Sequence, residues 1–524
     1  MSGGVLATTP RLGDAPGLRG GRHDGAGLLV AGVAAVLGMV AVAAVAAFLV
    51  TRSITELNLA VAAATTAMPV SVMVVQGSRR LSHPLFVLTV LMVMGVLGQT
   101  VWAQYAPDLA GSSDFLPDLT VGMITLGLVV VAGAVLLLLV GWLWPRRDPA
   151  QRFGTRVIRR VARTGLGDPA PRRVVVVVLV ACLLSLLFTL LLAERTNSLS
   201  VADLLASRKR VVDLGASEFT VLGVHRLGMS VSSAAFLLGW FTLQRWHLSW
   251  RSPLAAVTLL SFLLVAYQGY FLSSRTTIMV PVVWALLVWV ALRRREPSVK
   301  TLVTVFVLGF VAAVALQGVR AANQRGVDLA ADPLGLGRSI STAVASGKSL
   351  SVGVTGMVVQ RVPEQFPYQY GRSMVSWTYA AVPRTLWEDK PPVRLGPQLG
   401  APVFGQSEER RTGVPPGILG ELWINFGVLG VGVGALVWGL AIRTIDDWRT
   451  ERGRAAGIAA LCYAIGTTAV VVRLPFSEVT DAVASVLQEG VLVVVLLLLV
   501  RADRTDVPTA ETTDRPASST PRRP

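Results

Sequence analysis

The amino-acid sequence predicts an all-α, polytopic membrane helix bundle of about twelve transmembrane helices, with one large outward loop containing short helices. Three observations predict it. Of the 524 residues, 53% are hydrophobic and only 15% are charged, where a soluble globular domain carries about 25% charge. Mean hydropathy is +0.60. Apolar runs near twenty residues, the length that a bilayer core of roughly 30 Å requires, recur along the chain. This balance excludes a disordered chain and argues against a cytosolic enzyme.

Taken in order, residues 1–27 are Gly-rich and read as a disordered cytoplasmic N-terminus. Residues 28–318 hold helices 1–9, at 28–50, 56–76, 85–105, 119–144, 174–193, 219–243, 253–273, 277–292 and 301–318. The first is too long for a signal-peptide core and has no clear cleavage site after it. The second carries Asn58, Thr65 and Thr66, the sixth His225 and Arg226, and the eighth is short. Residues 319–414 form the extracytoplasmic loop. Helices 10–12 follow within 415–500, at 417–442, 455–472 and 482–500. From 501 to 524 Thr, Pro, Asp and Arg dominate, and this segment reads as a disordered cytoplasmic tail. There is no internal repeat. The long connection follows helix 9 rather than helix 6, which does not suit a transporter of two matched halves.

The net charge of +17 is explained by topology before any nucleic-acid partner is needed. With the N-terminus inside, 29 of the 48 Lys and Arg fall in cytoplasmic segments, nine of them in 145–173; this is the positive-inside pattern. The 145–173 run reads as lipid-facing or topology-setting. Loop 319–414 holds eleven Lys or Arg, which long loops tolerate on the outside. Arginine outnumbers lysine by 44 to 4. Composition bias alone accounts for that, although the guanidinium fork also suits phosphate.

Cys182 and Cys462 lie in apolar runs, and the four histidines show no ligand spacing, so neither a disulfide framework nor a metal site is expected. Candidate chemistry gathers on the outward side instead. Arg275 sits in the hairpin SSRTT, Arg320 closes helix 9, Arg384 lies in VPRTLWEDKPP with Lys390 six residues on, and Arg473 opens the last outer turn. Charges at membrane depth usually face a polar cavity or a partner. Each of these could also snorkel, or pair with Glu218, Glu388, Glu421 or Glu478. Several guanidinium forks on one face would suit a diphosphate. Trp377, Tyr379 and Trp387 suit either a belt at the headgroup level or a stacking surface for sugars. Glu421 and Asn425, four apart in GELWINFGVLG, share a helix face. That carboxylate fits either a general base or an ion pair fastening the loop to the bundle.

With SSRTT at the hairpin, VPRTLWEDKPP in a large outer loop and GILGELWINFGVLG re-entering the membrane, region 253–442 resembles the Wzy-type O-antigen polymerases, which join oligosaccharide repeat units. The resemblance implies a metal-independent glycosyltransferase, with no cofactor, on the outer face of the bacterial cytoplasmic membrane. Its substrate would be polyprenyl-diphosphate-linked oligosaccharide. Membrane lipid, a chain-length regulator and a flippase would be partners, and nucleic acid would not. It implies that Arg275, Arg320 and Arg384 hold the leaving diphosphate, with Lys390 assisting, and that Glu421 deprotonates the acceptor or positions the loop. Arg361, Arg372, Asn425 and Arg473 complete the expected substrate site. The family's Arg-x10-Gly spacing is not met, since nine residues separate Arg361 from Gly371.

Two alternatives share these features. An O-antigen-type ligase uses the same donor, but such ligases often depend on a histidine in the outer loop, and 319–414 has none. A lipid-linked oligosaccharide flippase or other transporter would place charges along the middle of its helices; here Arg226 is the clearest instance.

Overall fold

The computed structural model describes residues 24–78, 80–105, 116, 118–144, 149–195, 218–271, 275–301, 304, 350–380, 382, 386–406, 414–453 and 455–501. Among these the chain is helical, without a β-strand. In chain order the helices are α1 (Asp24–Thr51), α2 (Ile54–Val75), α3 (Pro84–Tyr105), α4 (Val121–Leu143), α5 (Pro149–Ala162), α6 (Pro171–Arg195), α7 (Glu218–Arg245), α8 (Pro253–Phe271) and α9 (Arg275–Arg293). Then come α10 (Val352–Arg361), α11 (Arg372–Val375), α12 (Trp377–Ala380), α13 (Gly396–Leu399), α14 (Gly417–Trp448), α15 (Ala455–Phe476) and α16 (Val479–Leu499). Ten are long and apolar enough to cross a membrane: α1–α4, α6–α8 and α14–α16. The apolar part of α9, Thr277–Arg293, is shorter. The chain is an all-α polytopic helix bundle.

Ten of the expected spans coincide with these helices, and the short eighth is α9. Expected span 301–318 lies outside the described residues except at 301 and 304. The expected disordered N-terminus is cut short, because α1 begins at Asp24; residues 1–23 and 502–524 lie outside the described residues.

Local chemistry sets the helix starts. Proline opens α3, α5, α6 and α8, where its missing N–H costs nothing. Side chains cap others: Thr120 accepts from the Met123 N–H and Ser351 from the Val354 N–H. Two π-helical turns, Val93–Gly98 in α3 and Thr468–Arg473 in α15, interrupt otherwise regular spans.

The buried side chains form two principal cores. One joins α1–α4 with α10 and α14 through Leu88, Leu128, Leu138, Val352 and Trp438. The other joins α5–α9 with α15 and α16 through Phe241, Trp284, Tyr463 and Val493. Bundle helices approach most closely at glycines, as membrane helices do. A Cβ on Gly141 of α4 would lie 2.1 Å from the Leu436 carbonyl oxygen, and one on Gly439 of α14 would lie 1.9 Å from that of Leu138.

The sequence predicts a large outward loop at 319–414 containing short helices, and the described part of it is partly buried in the bundle. Helix α10 is buried over most of its length and crosses α4 at a second glycine contact. A Cβ on Gly127 would meet the Val352 carbonyl oxygen at 1.9 Å, and one on Gly356 would meet that of Met123 at 1.8 Å. Because Val352 lies beside Gly127, six residues into α4, α10 starts about 9 Å below the end of that helix. It is a helix inserted into the bundle. Its first turn is tied down by Gln99, whose side-chain oxygen accepts from the Ser351 hydroxyl (2.8 Å) and the Gly353 N–H (3.2 Å).

Candidate functional site

The end of the bundle that carries the loop, here the loop end, is organised around a break in α14. Phe426 (φ −142°, ψ 16°) and Gly427 (φ 60°, ψ −144°) leave helical geometry inside Gly417–Trp448. The positive φ at Gly427 is one that side-chain-bearing residues avoid. A Cβ there would also press on the Tyr368 hydroxyl at 3.3 Å. Broken helices at membrane depth persist where protein or a cavity satisfies the freed backbone, and here the loop does so. Gln369 donates its N–H to the Ile424 carbonyl (2.9 Å), and Gly371 donates to the Asn425 side-chain oxygen (2.7 Å).

The half-helix before the break holds Glu421, which is 0% exposed. One carboxylate oxygen accepts from the Ser373 hydroxyl (2.8 Å), the other from the Val479 N–H (2.5 Å). Asn425 donates to the Ser373 hydroxyl oxygen (2.7 Å) and to the Glu421 carbonyl (2.8 Å). Thr480 donates to the Ser373 carbonyl (2.6 Å), and Ser376 donates to the Val393 carbonyl (3.0 Å). Glu478 accepts the N–H groups of Leu395 (3.0 Å) and Gly396 (2.8 Å). Burial pushes the Glu478 carboxyl above the ordinary carboxylate range, while those two donors pull it back. The segment from Gln369 to Gly396 is therefore clamped between the α14 half-helix and the start of α16.

The expected cations divide into distinct environments. Arg361 is not free for substrate: it donates to Asp118 (3.0 Å) and to the Val403 carbonyl (2.8 Å). Lys390 is 7% exposed and donates to the Ala380 (2.9 Å) and Val382 (2.7 Å) carbonyls. It closes a turn of the loop. Arg473 is paired with Glu489 at 2.6 Å, on α15 and α16. Among the described residues neither Glu421 nor Glu478 forms an ion pair with an arginine. Arg372, first residue of α11, is exposed, and among the described residues no carboxylate pairs with it. Arg275 begins α9, but its side chain lies outside the described residues, as do Arg320 and Arg384. Arg226 is exposed where the apolar stretch of α7 begins, rather than deep within it, and it is close enough to Arg394 and Asp481 to feel their charges.

Three participants were not visible to sequence reasoning. Glu489 lies ten residues, about 15 Å, along α16, in a run that otherwise reads as plain apolar helix. Ser373 and Thr480 carry the clamp, yet single hydroxyls give no signal without their partners. Beside the clamp, Tyr370, Trp377, Leu386, Trp387 and Phe426 are exposed, and Tyr379 packs edge-on against Trp387 at 5.8 Å. Among the described residues the loop thus offers aromatic faces and a cation, Arg372, without a carboxylate partner, while the buried Glu421 and Glu478 of the bundle hold it in place. No family model, no curated protein and no solved structure matches this chain.

Proposed function

We propose that the chain is a membrane glycosyltransferase that polymerises polyprenyl-diphosphate-linked oligosaccharide units for surface polysaccharide. It would sit in the bacterial cytoplasmic membrane, with both termini inside and the loop end outside. The resemblance of SSRTT, VPRTLWEDKPP and GILGELWINFGVLG to the repeat-unit polymerases supports this reading. The observation that carries it is Arg372, an exposed guanidinium without a carboxylate partner among the described residues. It stands on a segment locked to the bundle and flanked by exposed aromatics.

In the proposed reaction an acceptor hydroxyl attacks the anomeric carbon of the donor sugar and passes its proton to the departing diphosphate. The bond from that carbon to the diphosphate oxygen breaks, and negative charge grows on the departing diphosphate. A fixed guanidinium stabilises that charge more in the transition state than in the ground state, which accelerates the step. Tyr370, Trp377 and Trp387 present faces on which sugar rings can stack. Glu421 acts as a positioning residue, since one of its oxygens is occupied by the loop's Ser373 hydroxyl and the other by the Val479 N–H at the start of α16.

The test is a deletion strain whose lipid-linked and surface glycans are resolved on a gel. Single repeat units in place of a ladder are expected, and Arg372→Ala should fail to restore the ladder although the protein inserts. Long polymer left on its lipid carrier would indicate a ligase. An unchanged profile would sink the reading. One observation favours a transporter as the second reading: the Arg473–Glu489 pair buried between α15 and α16, since intramembrane ion pairs often mark a transport path. Repeat units trapped on the inner leaflet would decide for it.

A further inference from the structure

The opposite end of the bundle, which carries the arginine-rich connections and is here called the basic end, holds a surface that the proposed reaction does not use. Helix α5 (PAQRFGTRVIRRVA) links the end of α4 to the start of α6 and has no acidic residue. Ile158 and Ala162 are buried in the second core. Gly154 sits against Trp448, where a Cβ would be 3.2 Å from the indole nitrogen. Arg159 grips Glu451 through two contacts of 3.1 Å. One face is therefore committed to the protein.

The other face is divided. At about 100° per residue, Arg156, Arg160 and Arg163 fall within about 60° of arc, and all three are exposed. Phe153 and Val157 lie next to them and are 68% and 42% exposed. Among the described residues, no carboxylate pairs with these three arginines. A row of unpaired guanidinium groups beside a protruding phenyl ring has two demands. The cations need anions, and the ring needs an apolar medium. A nucleic acid would satisfy only the first.

We propose that α5 lies in the plane of the membrane at the basic end and binds an anionic phospholipid surface. Arg156, Arg160 and Arg163 stand at the phosphate level, with Phe153 and Val157 entering the acyl region. Both neighbouring helices are membrane-spanning and end here, which keeps α5 at headgroup depth. Basic amphipathic helices of this kind hold anionic bilayers through charge and apolar insertion together.

The experiment uses the full chain reconstituted in phosphatidylcholine vesicles containing spin-labelled phosphatidylglycerol or spin-labelled phosphatidylcholine as probe. Electron paramagnetic resonance reads the relative affinity of the two lipids for the protein surface. The wild type should prefer phosphatidylglycerol, and the preference should weaken as salt rises. The triple variant Arg156→Gln, Arg160→Gln, Arg163→Gln should lose at least about tenfold of it, whereas Arg251→Gln, an exposed cation elsewhere at the same end, should lose less than about twofold. A triple Lys variant keeps the charge and the fold and should retain the preference. The inference is overturned if the Gln variant keeps wild-type selectivity while inserting normally, or if the Lys variant loses it. It is equally overturned if α5 charge governs retention of a labelled RNA and leaves lipid selectivity untouched.

Discussion

Helix α4 meets the rest of the molecule at two glycine crossings fourteen residues apart, and the two contacts serve different ends. At Gly141–Gly439 the partner is α14, a helix that runs the length of the bundle. At Gly127–Gly356 the partner is α10, a ten-residue buried helix from the 319–414 region. The polar chemistry differs in the same way. Near the first crossing, cations and carboxylates lace neighbouring connections together: Arg80 with Asp446 (3.0 Å), Arg449 with Glu296 (3.0 Å) and Arg245 with Asp168 (2.8 Å). Near the second, Arg361 still pairs with Asp118 (3.0 Å), but Glu421 and Glu478 are held by a hydroxyl and backbone N–H groups. Carboxylates satisfied without cations leave a cation such as Arg372 uncommitted. The basic end is a frame, and the loop end is a mount.

The largest effect is expected where backbones touch. Gly439→Ala places a methyl group 1.9 Å from a carbonyl oxygen, and α4 and α14 must move apart. The cost should reach about 3 kcal/mol, the upper range for overpacking, and appear as a lower unfolding temperature of the whole bundle in detergent. Gly356→Ala creates an equally close approach at the other crossing. Its effect should be local, with rapid proteolysis between Tyr370 and Trp387 and a nearly unchanged bundle. If the two variants unfold alike, the distinction between frame and mount is lost.

Glu421→Ala comes next. It strands the Ser373 hydroxyl and the Val479 N–H, a loss of about 2–3 kcal/mol for donors to a charged acceptor. The loop should become protease-sensitive and polymer should disappear. Glu421→Gln retains an acceptor and should restore part of both. Restored loop protection with no polymer would show that the carboxylate does more than hold the loop.

These contrasts also explain what could be read from the sequence. The spans were legible because a bilayer demands about twenty apolar residues regardless of partners, and runs such as VGMITLGLVVVAGAVLLLLV meet that demand alone. Helix α10 escaped the same window because it is ten residues long. Its docking depends on Gly356 finding Gly127, a pairing that spacing does not reveal. The break at Phe426–Gly427 lies inside GELWINFGVLG, which reads as continuous helix; the nearby Gly430, Gly432 and Gly434 are the only hint. Ion pairing was legible in kind but not in partner. Arg473 is expected in the substrate site, or else paired with Glu218, Glu388, Glu421 or Glu478, whereas its partner, Glu489, faces it from within α16.

A smaller effect, seen through pH, belongs to the frame. His83 is 2% exposed and caps α3, its Nδ1 accepting the Leu85 N–H at 3.2 Å. Burial, first of all, lowers its pKa from 6.5 to about 4; the charges of Arg80 and Arg449 push the same way, and Asp446 opposes them. The unfolded chain therefore binds a proton that the folded chain refuses between those values. Stability is complete above pH 6.5, falls as the pH drops toward 4, and levels below it. The total is on the order of 3 kcal/mol. His83→Asn keeps a capping acceptor that does not titrate and should flatten the unfolding temperature across that window. An unchanged slope would place the titration elsewhere.

The smallest effect sharpens the comparison most narrowly. Arg159 and Glu451 make a two-pronged pair, yet the arginine side chain is 63% exposed, so solvent screens it and the pair contributes little to stability. Arg159→Gln should leave the unfolding temperature almost unchanged. It should instead loosen the hold of α5 on the loop after α14, read as faster amide exchange confined to α5. A frame built from such pairs resists loss of any single one, because each is weak and Ile158, Ala162 and Gly154 keep α5 seated by packing. A large stability loss from Arg159→Gln would mean that charge, and not packing, holds the frame.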